Sequence, residues 1–240
     1  MKEQRLNGLD IFRGMAILLM IMYHFTFDLN YFKIIAINMD ETTTFLIMRY
    51  TIISMFLFTV GVSLGLNHQK EIQWKSVRKR MLQLGTASIM VSIATYVVFP
   101  ISWVYFGILH FILVASLMTL PLIKFPKTSL ILSLFILLGS ASGFLNLHPL
   151  FNLLQAPLNL PTIYCEDLVP LFPWWSVVLL GTVSVHYQIH HKIFNANIFT
   201  QNSKINTLLK KMGQYSLLIY LIHQPILFAT FELYFRFFSK

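Results

Sequence analysis

The sequence predicts an all-α fold, a polytopic membrane bundle of about seven transmembrane helices in which residues 1–240 form one membrane-embedded domain. Three observations carry this prediction. Hydrophobic residues make up 56% of the chain and charged residues 11%, at a mean hydropathy of +0.67, whereas a soluble domain carries about 25% charge. Apolar runs long enough to cross a hydrocarbon core of about 30 Å recur along the chain. Of the 18 basic residues, 14 lie at one set of alternating run ends, the bias that orients membrane proteins.

The first run, about 11 to 31, is long enough to span and yet carries or adjoins Asp10, Arg13, His24 and Asp28. At about 100° per residue, Asp10 and Asp28 point the same way, and His24 and Arg13 lie about 40° and 60° from that line. Ionisable groups are expensive in lipid, so this stripe should face a bundle interior or a polar cavity. The run is too long and too polar for a signal-peptide core and lacks a small-residue cleavage site, which marks it as an uncleaved helix.

The second span, about 44 to 66, holds Gly61 and Gly65. Four residues apart, they let a neighbouring helix approach closely, or they simply match membrane composition. Residues 67 to 80 form a polybasic loop with Lys70, Lys75, Arg78, Lys79 and Arg80, read first as an orientation signal and second as a contact for anionic lipid or an anionic cofactor. The third span, about 81 to 99, ends at Pro100, and the fourth, starting by about 103, contains His110. The fifth, about 128 to 146, has only small or weakly polar interruptions and reads as a packing helix.

Residues 147 to 172 contain Pro149, Pro157, Pro161 and Pro170 and no Lys or Arg, which argues against a regular membrane helix there. Glu166 and Asp167 are the only charges of that stretch. The sixth span, about 173 to 190, opens on Pro173, Trp174 and Trp175, residues suited to a first turn and to the headgroup level. A polar loop, 191 to 212, precedes the seventh span, about 213 to 235, where His223, Gln224 and Pro225 lie mid-run and a kink is expected. Because Cys165 is the only cysteine, no disulfide forms within the chain. The +9 charge is explained by topology and does not require a nucleic-acid partner.

The charge bias places the N-terminus in the cytoplasm and the C-terminus outside, in an inner or plasma membrane. His24, Asp28, His110, Asp167 and His223 can then share a depth near the outer face. One turn apart, Asp28 can orient the His24 imidazole. A neutral histidine so held can take a proton from a hydroxyl or amine attacking an acyl carbonyl, and return it to the leaving group. Asp10 and Arg13 either form an ion pair or, through Arg13, contact a phosphate of an acyl donor. Asp10 stands about 21 Å from His24, the reach of an extended acyl carrier such as coenzyme A.

The histidines lie on different helices without ligand spacing, so no metal is expected. A proton-coupled transporter would use the same intramembrane His and Asp, but seven spans without an evident repeat do not form matched halves. A noncatalytic partner of an envelope enzyme is the third reading. The pattern is compatible with a homodimer.

The chain resembles the bacterial members of the heparan-alpha-glucosaminide N-acetyltransferase catalytic-domain family, formerly a domain of unknown function. The segments that carry the resemblance are RLNGLDIFRGMAILLMIMYHFTFDLNYF at 5 to 32, FLFTVGVSLGL at 56 to 66, FGILH at 106 to 110, EDLVPLFPWWSVVLLG at 166 to 181 and YSLLIYLIHQP at 215 to 225. The family is similar to a broader group of membrane acyltransferases acting on sugars or cell-surface polymers. The resemblance implies a transfer of an acyl, normally acetyl, group from acyl-CoA to an amino or hydroxyl group of a glycan or small metabolite. It aligns Asp10, Arg13 and Gly14 with the shared first-helix motif and His24 with the histidine essential to sugar O-acylation. His110, Asp167, Trp174, His223, Gln224 and Pro225 match further motif positions. One departure matters: the lysosomal heparan enzyme uses a histidine in its first outward-facing loop, and residues 33 to 43, KIIAINMDETT, contain none. The heparan acceptor and an acetyl-histidine relay therefore do not carry over, and the role of base falls to His24, with His110 or His223 behind it.

Overall fold

The computed structural model describes residues 6–39, 41–145, 148–158, 160–161 and 167–238. Cys165 and Glu166 lie outside the described residues. Among the described residues the chain is all α-helix with no strand. In chain order the helices are α1 Asn7–Tyr31, α2 Thr43–His68, α3 Trp74–Val98, α4 Ile108–Thr119, α5 Pro126–Ala141, α6 His148–Gln155, α7 Leu171–His186, α8 Ile189–Phe194, α9 Asn197–Thr200, α10 Lys204–Gln214 and α11 Ser216–Phe238; a 3-10 turn, Leu120–Leu122, extends α4.

Four helices, rather than the expected seven, are long and apolar enough to cross a membrane among the described residues: α1, α2, α3 and α11. The other three expected spans are shorter apolar helices. α4 has 12 residues, and α5 and α7 have 16 each. At about 1.5 Å per residue they measure roughly 18 and 24 Å, short of a core of about 30 Å. The reason lies at their ends. The apolar run that opens the fourth expected span is irregular backbone up to Gly107, tied down by Val104 N–H to Thr95 Oγ1 at 3.0 Å. Residue Phe172 is extended, so regular helix in α7 starts at Pro173.

Other boundaries also move. The polybasic stretch is not all loop: α3 starts at Trp74 and carries Lys75, Arg78, Lys79 and Arg80 on its first turns. The turn before it is closed by Gln73 N–H donating to Nδ1 of buried His68, 3.1 Å away. The 191 to 212 loop contains three helices, of which α10 is capped by Ser203, whose hydroxyl accepts from Asn206 N–H at 3.0 Å.

The chain folds as two compact units, Met1–Phe56 with His191–Lys240, and Leu57–His190. The first holds α1, the start of α2, α8 from His191 on, and α9 to α11. Its core joins Ile17, Met20 and Ile52, with Tyr23, Met212, Ile219 and Tyr220 packed against them. Here α1 and α10 meet backbone to backbone. A Cβ at Gly14 would overlap the carbonyl of Leu209, and one at Gly213 would overlap that of Asp10. Glycine is the residue that permits this approach.

In the second unit Gly61 does let a neighbour in. The neighbour is α7, where Gly181 places its own Cα against Gly61, and a Cβ on either would collide with the other helix's backbone. Trp175 Nε1–H donates to Thr119 Oγ1 at 3.0 Å, and Ser133 Oγ–H to the Ser176 carbonyl at 3.1 Å, so α7 is bonded to α4 and to α5. Such side-chain bonds hold helices together where apolar burial gives no preference over lipid.

Candidate active site

In the first unit α1 and α11 pack against each other through ring contacts and a side-chain hydrogen bond. The ring centroids of His24 and His223 stand 4.9 Å apart, with planes inclined at 64°. Asp28, one turn beyond His24, is fully buried and accepts a hydrogen bond from Gln224 Nε2 at 2.7 Å. No hydrogen bond joins Asp28 to His24. The carboxylate that the sequence assigns to the neighbouring turn of its own helix is taken by the facing helix instead.

The two histidines are not equivalent. His223 Nδ1 lies 2.7 Å from the carbonyl of Tyr220. A carbonyl only accepts, so Nδ1 carries the proton and Nε2 of the neutral ring is the basic nitrogen. His24 is half-buried and is held by ring contacts, to His223 and edge-on to Tyr23 at 5.8 Å. Beyond this layer the same two helices build an aromatic stack, in which Phe32 lies parallel to Phe235 at 5.3 Å and contacts Phe228 at 5.2 Å. Pro225 sits inside α11 immediately after the polar pair.

At the other end of α1, Arg13 Nη1 lies 3.4 Å from Asp10 Oδ1, and Gln214 Nε2–H donates to Asp10 Oδ2 at 3.3 Å. Asp10 is buried, while the Arg13 side chain keeps 20% of its surface exposed. Of the two roles read from the sequence, the ion pair is present.

His110 and Asp167 belong to the second unit. Gly107 N–H donates to His110 Nδ1 at 3.3 Å, so the ring proton sits on Nε2. That nitrogen is 3.2 Å from Ser92 Oγ, whose own hydroxyl donates to the Val104 carbonyl at 2.7 Å. Both ring nitrogens are thus engaged in fastening the loop before α4 to α3. Asp167 lies beside the same loop: a Cβ on Gly107 would stand 3.6 Å from its carbonyl oxygen, and Val169 N–H reaches the Phe106 carbonyl at 3.4 Å. The five residues expected at one site are therefore divided between the units, with His24, Asp28 and His223 together in one and His110 and Asp167 in the other.

The sequence reading missed three partners. Gln224 stands in the sequence reading as a mid-run polar residue and a match to a motif position but not as a partner of Asp28, although a Gln inside an apolar helix already signals a buried partner. Ser92 carried a weaker signal, a hydroxyl three residues before Thr95 in an apolar run. The Tyr220 carbonyl carried none, because a backbone group has no sequence signature. Among the described residues no three His, Cys, Asp or Glu side chains are arranged to hold a metal ion.

Residues 5–225 match the model of the family described as heparan-alpha-glucosaminide N-acetyltransferase, catalytic. No curated protein and no solved structure matches the chain. All the side chains of both clusters fall inside the matched segment.

Proposed function

The chain belongs to that catalytic family of membrane acetyltransferases, and on this premise we propose that it transfers an acyl group, normally acetyl, from acyl-CoA to an amino or hydroxyl group of a glycan or small metabolite. The observation that carries the reading is the His24–His223 ring pair, set beside the buried Asp28–Gln224 bond in the same pair of helices.

His223 Nε2, or His24 in contact with it, takes the proton from the acceptor as its nitrogen or oxygen bonds to the thioester carbon. The carbon–sulfur bond breaks, and the same imidazole returns the proton to the departing sulfur. The products are the acylated acceptor and free coenzyme A thiol. Apolar walls from Tyr23, Tyr220 and the phenylalanine stack keep water from competing for the acyl group. Arg13 and the lysines of α10, Lys210 and Lys211, offer positive charge for the phosphates of the donor.

We place the N-terminus in the cytoplasm and the C-terminus outside, in a bacterial inner or plasma membrane. The 14 basic residues at one set of helix ends support this. In this arrangement α4, α5 and α7 complete the seven crossings by drawing on flanking residues and a locally thinner bilayer. Donor enters from the cytoplasm and the acceptor stands at the outer face.

Oriented proteoliposomes test this. With acetyl-labelled acetyl-CoA on the cytoplasmic side and a cell-envelope extract on the other, label should appear in the extract, matched by free thiol on the donor side. Movement of an unmodified solute driven by a pH gradient, with no thiol formed, would contradict the transferase and identify a proton-coupled transporter.

A further inference from the structure

Asp28 and Gln224 leave an unmatched pair of acceptors. Gln224 Nε2 donates to Asp28 Oδ1, while Asp28 Oδ2 and Gln224 Oε1 are both buried without a hydrogen-bond partner. Turning the amide over would face its oxygen against the carboxylate, so the observed sense is the one that bonds. A buried acceptor without a donor costs about 1–3 kcal/mol, and more when it is charged. Two such atoms on one bonded pair are an expensive arrangement inside a membrane helix pair. They adjoin the ring pair directly: Asp28 is one turn from His24, and Gln224 follows His223 in the chain.

We propose that Asp28 and Gln224 bind the acceptor through two polar hydrogens, one received by Asp28 Oδ2 and one by Gln224 Oε1. This rests on the transferase reading and adds to it the residues that select the acceptor. Two groups in the expected substrate class present two such hydrogens at close range, a primary amine and a pair of adjacent hydroxyls. For an amine, fixing both N–H bonds directs the lone pair away from the carboxylate, toward the acyl carbon. For a diol, one hydroxyl is gripped while its neighbour attacks. In either case the new bond to the acyl carbon makes the hydrogen on the attacking atom acidic, and the histidine takes that proton from its hydrogen bond and returns it to the departing sulfur. An isolated hydroxyl satisfies only one of the two oxygens and is a poor acceptor.

The test uses the full-length protein in lipid nanodiscs with acetyl-CoA and a cell-envelope extract, reading free thiol. The extract is used untreated, exhaustively N-acetylated to block amines, or periodate-oxidised to cleave adjacent hydroxyls. Release with the untreated extract should vanish on N-acetylation if the acceptor is an amine, and on oxidation if it is a diol. Release that survives both treatments overturns the proposal. No release with untreated extract instead defeats the transferase reading itself. As a second arm, Asp28→Asn replaces the Oδ2 acceptor by an NH2 donor, and Gln224→Met removes Oε1 together with the Nε2–H that Asp28 Oδ1 accepts from, both with little change of shape. Each should raise KM for the extract about tenfold more than it lowers kcat, the loss expected of one buried hydrogen bond. Unchanged KM in both variants also overturns the proposal.

Discussion

What distinguishes His223 from His24 is a backbone atom. The Tyr220 carbonyl holds the His223 proton on Nδ1 and so presents Nε2 as a base, whereas His24 is steered by aromatic contacts alone. His110 is a third case, with one ring nitrogen accepting from Gly107 and the other bonded to Ser92. We propose that a histidine so engaged holds the loop before α4 in place. His110→Ala should therefore lower stability by about 1–3 kcal/mol, because it leaves the buried Gly107 N–H without its acceptor and takes one of the two hydrogen bonds of Ser92. Thermal unfolding in detergent would measure this. Ser92→Ala should overlap with it rather than add, since the two residues act through one bond. Additive losses, or an intact Tm with lost turnover, would return His110 to the chemistry. At this scale the sequence showed which side chains are polar in apolar surroundings and on which helix face they lie. It could not show which partner each one takes. The spacing of His24 and Asp28 allows a bond along α1, but a facing amide on α11 competes for the same carboxylate, and that contact depends on tertiary packing.

Among the helices, α1 was legible from its length and charge stripe because both are properties of a single run. α10 was not: its lysines and Asn206 make it read as a polar loop, and its helicity rests on one face, Leu209 and Gly213, being pressed onto α1. That contact is the clearest test of how the element is held. Gly14→Ala or Gly213→Ala places a methyl on a facing carbonyl, so each should push α10 from α1 and lower the yield of folded, monodisperse protein. Gly85→Ala in α3 is the matching control, since nothing lies within 4 Å of a Cβ built there. It should be neutral or stabilising by up to about 1 kcal/mol, the helix preference for alanine over glycine. Equal behaviour of the three variants in size-exclusion chromatography and thermal unfolding would contradict the close approach. The three short helices show the same limit of a sequence reading. Apolar composition marks residues 103 to 107 as continuous with α4, yet the Thr95 and Ser92 hydroxyls hold that backbone out of the helix.

For the molecule as a whole, the membrane class and the all-α architecture follow from composition and run length, properties that any packing of the chain preserves. The number of crossings does not follow, because it depends on where each helix starts and stops. The seven crossings we propose would put the two termini on opposite sides. Reporter fusions should accordingly find the N-terminus in the cytoplasm and the C-terminus outside, and both termini on one side would require an even number of crossings. We propose that acyl transfer runs through the paired imidazoles of α1 and α11. This is tested most directly by acceptor-dependent thiol release from acetyl-CoA in nanodiscs, comparing wild type with His24→Ala, His223→Ala and the double variant. Each single change should lower kcat by about 10²–10⁴-fold, and the double variant should fall little further than the worse single, as residues acting as one unit do. Wild-type rates in both single variants would contradict it.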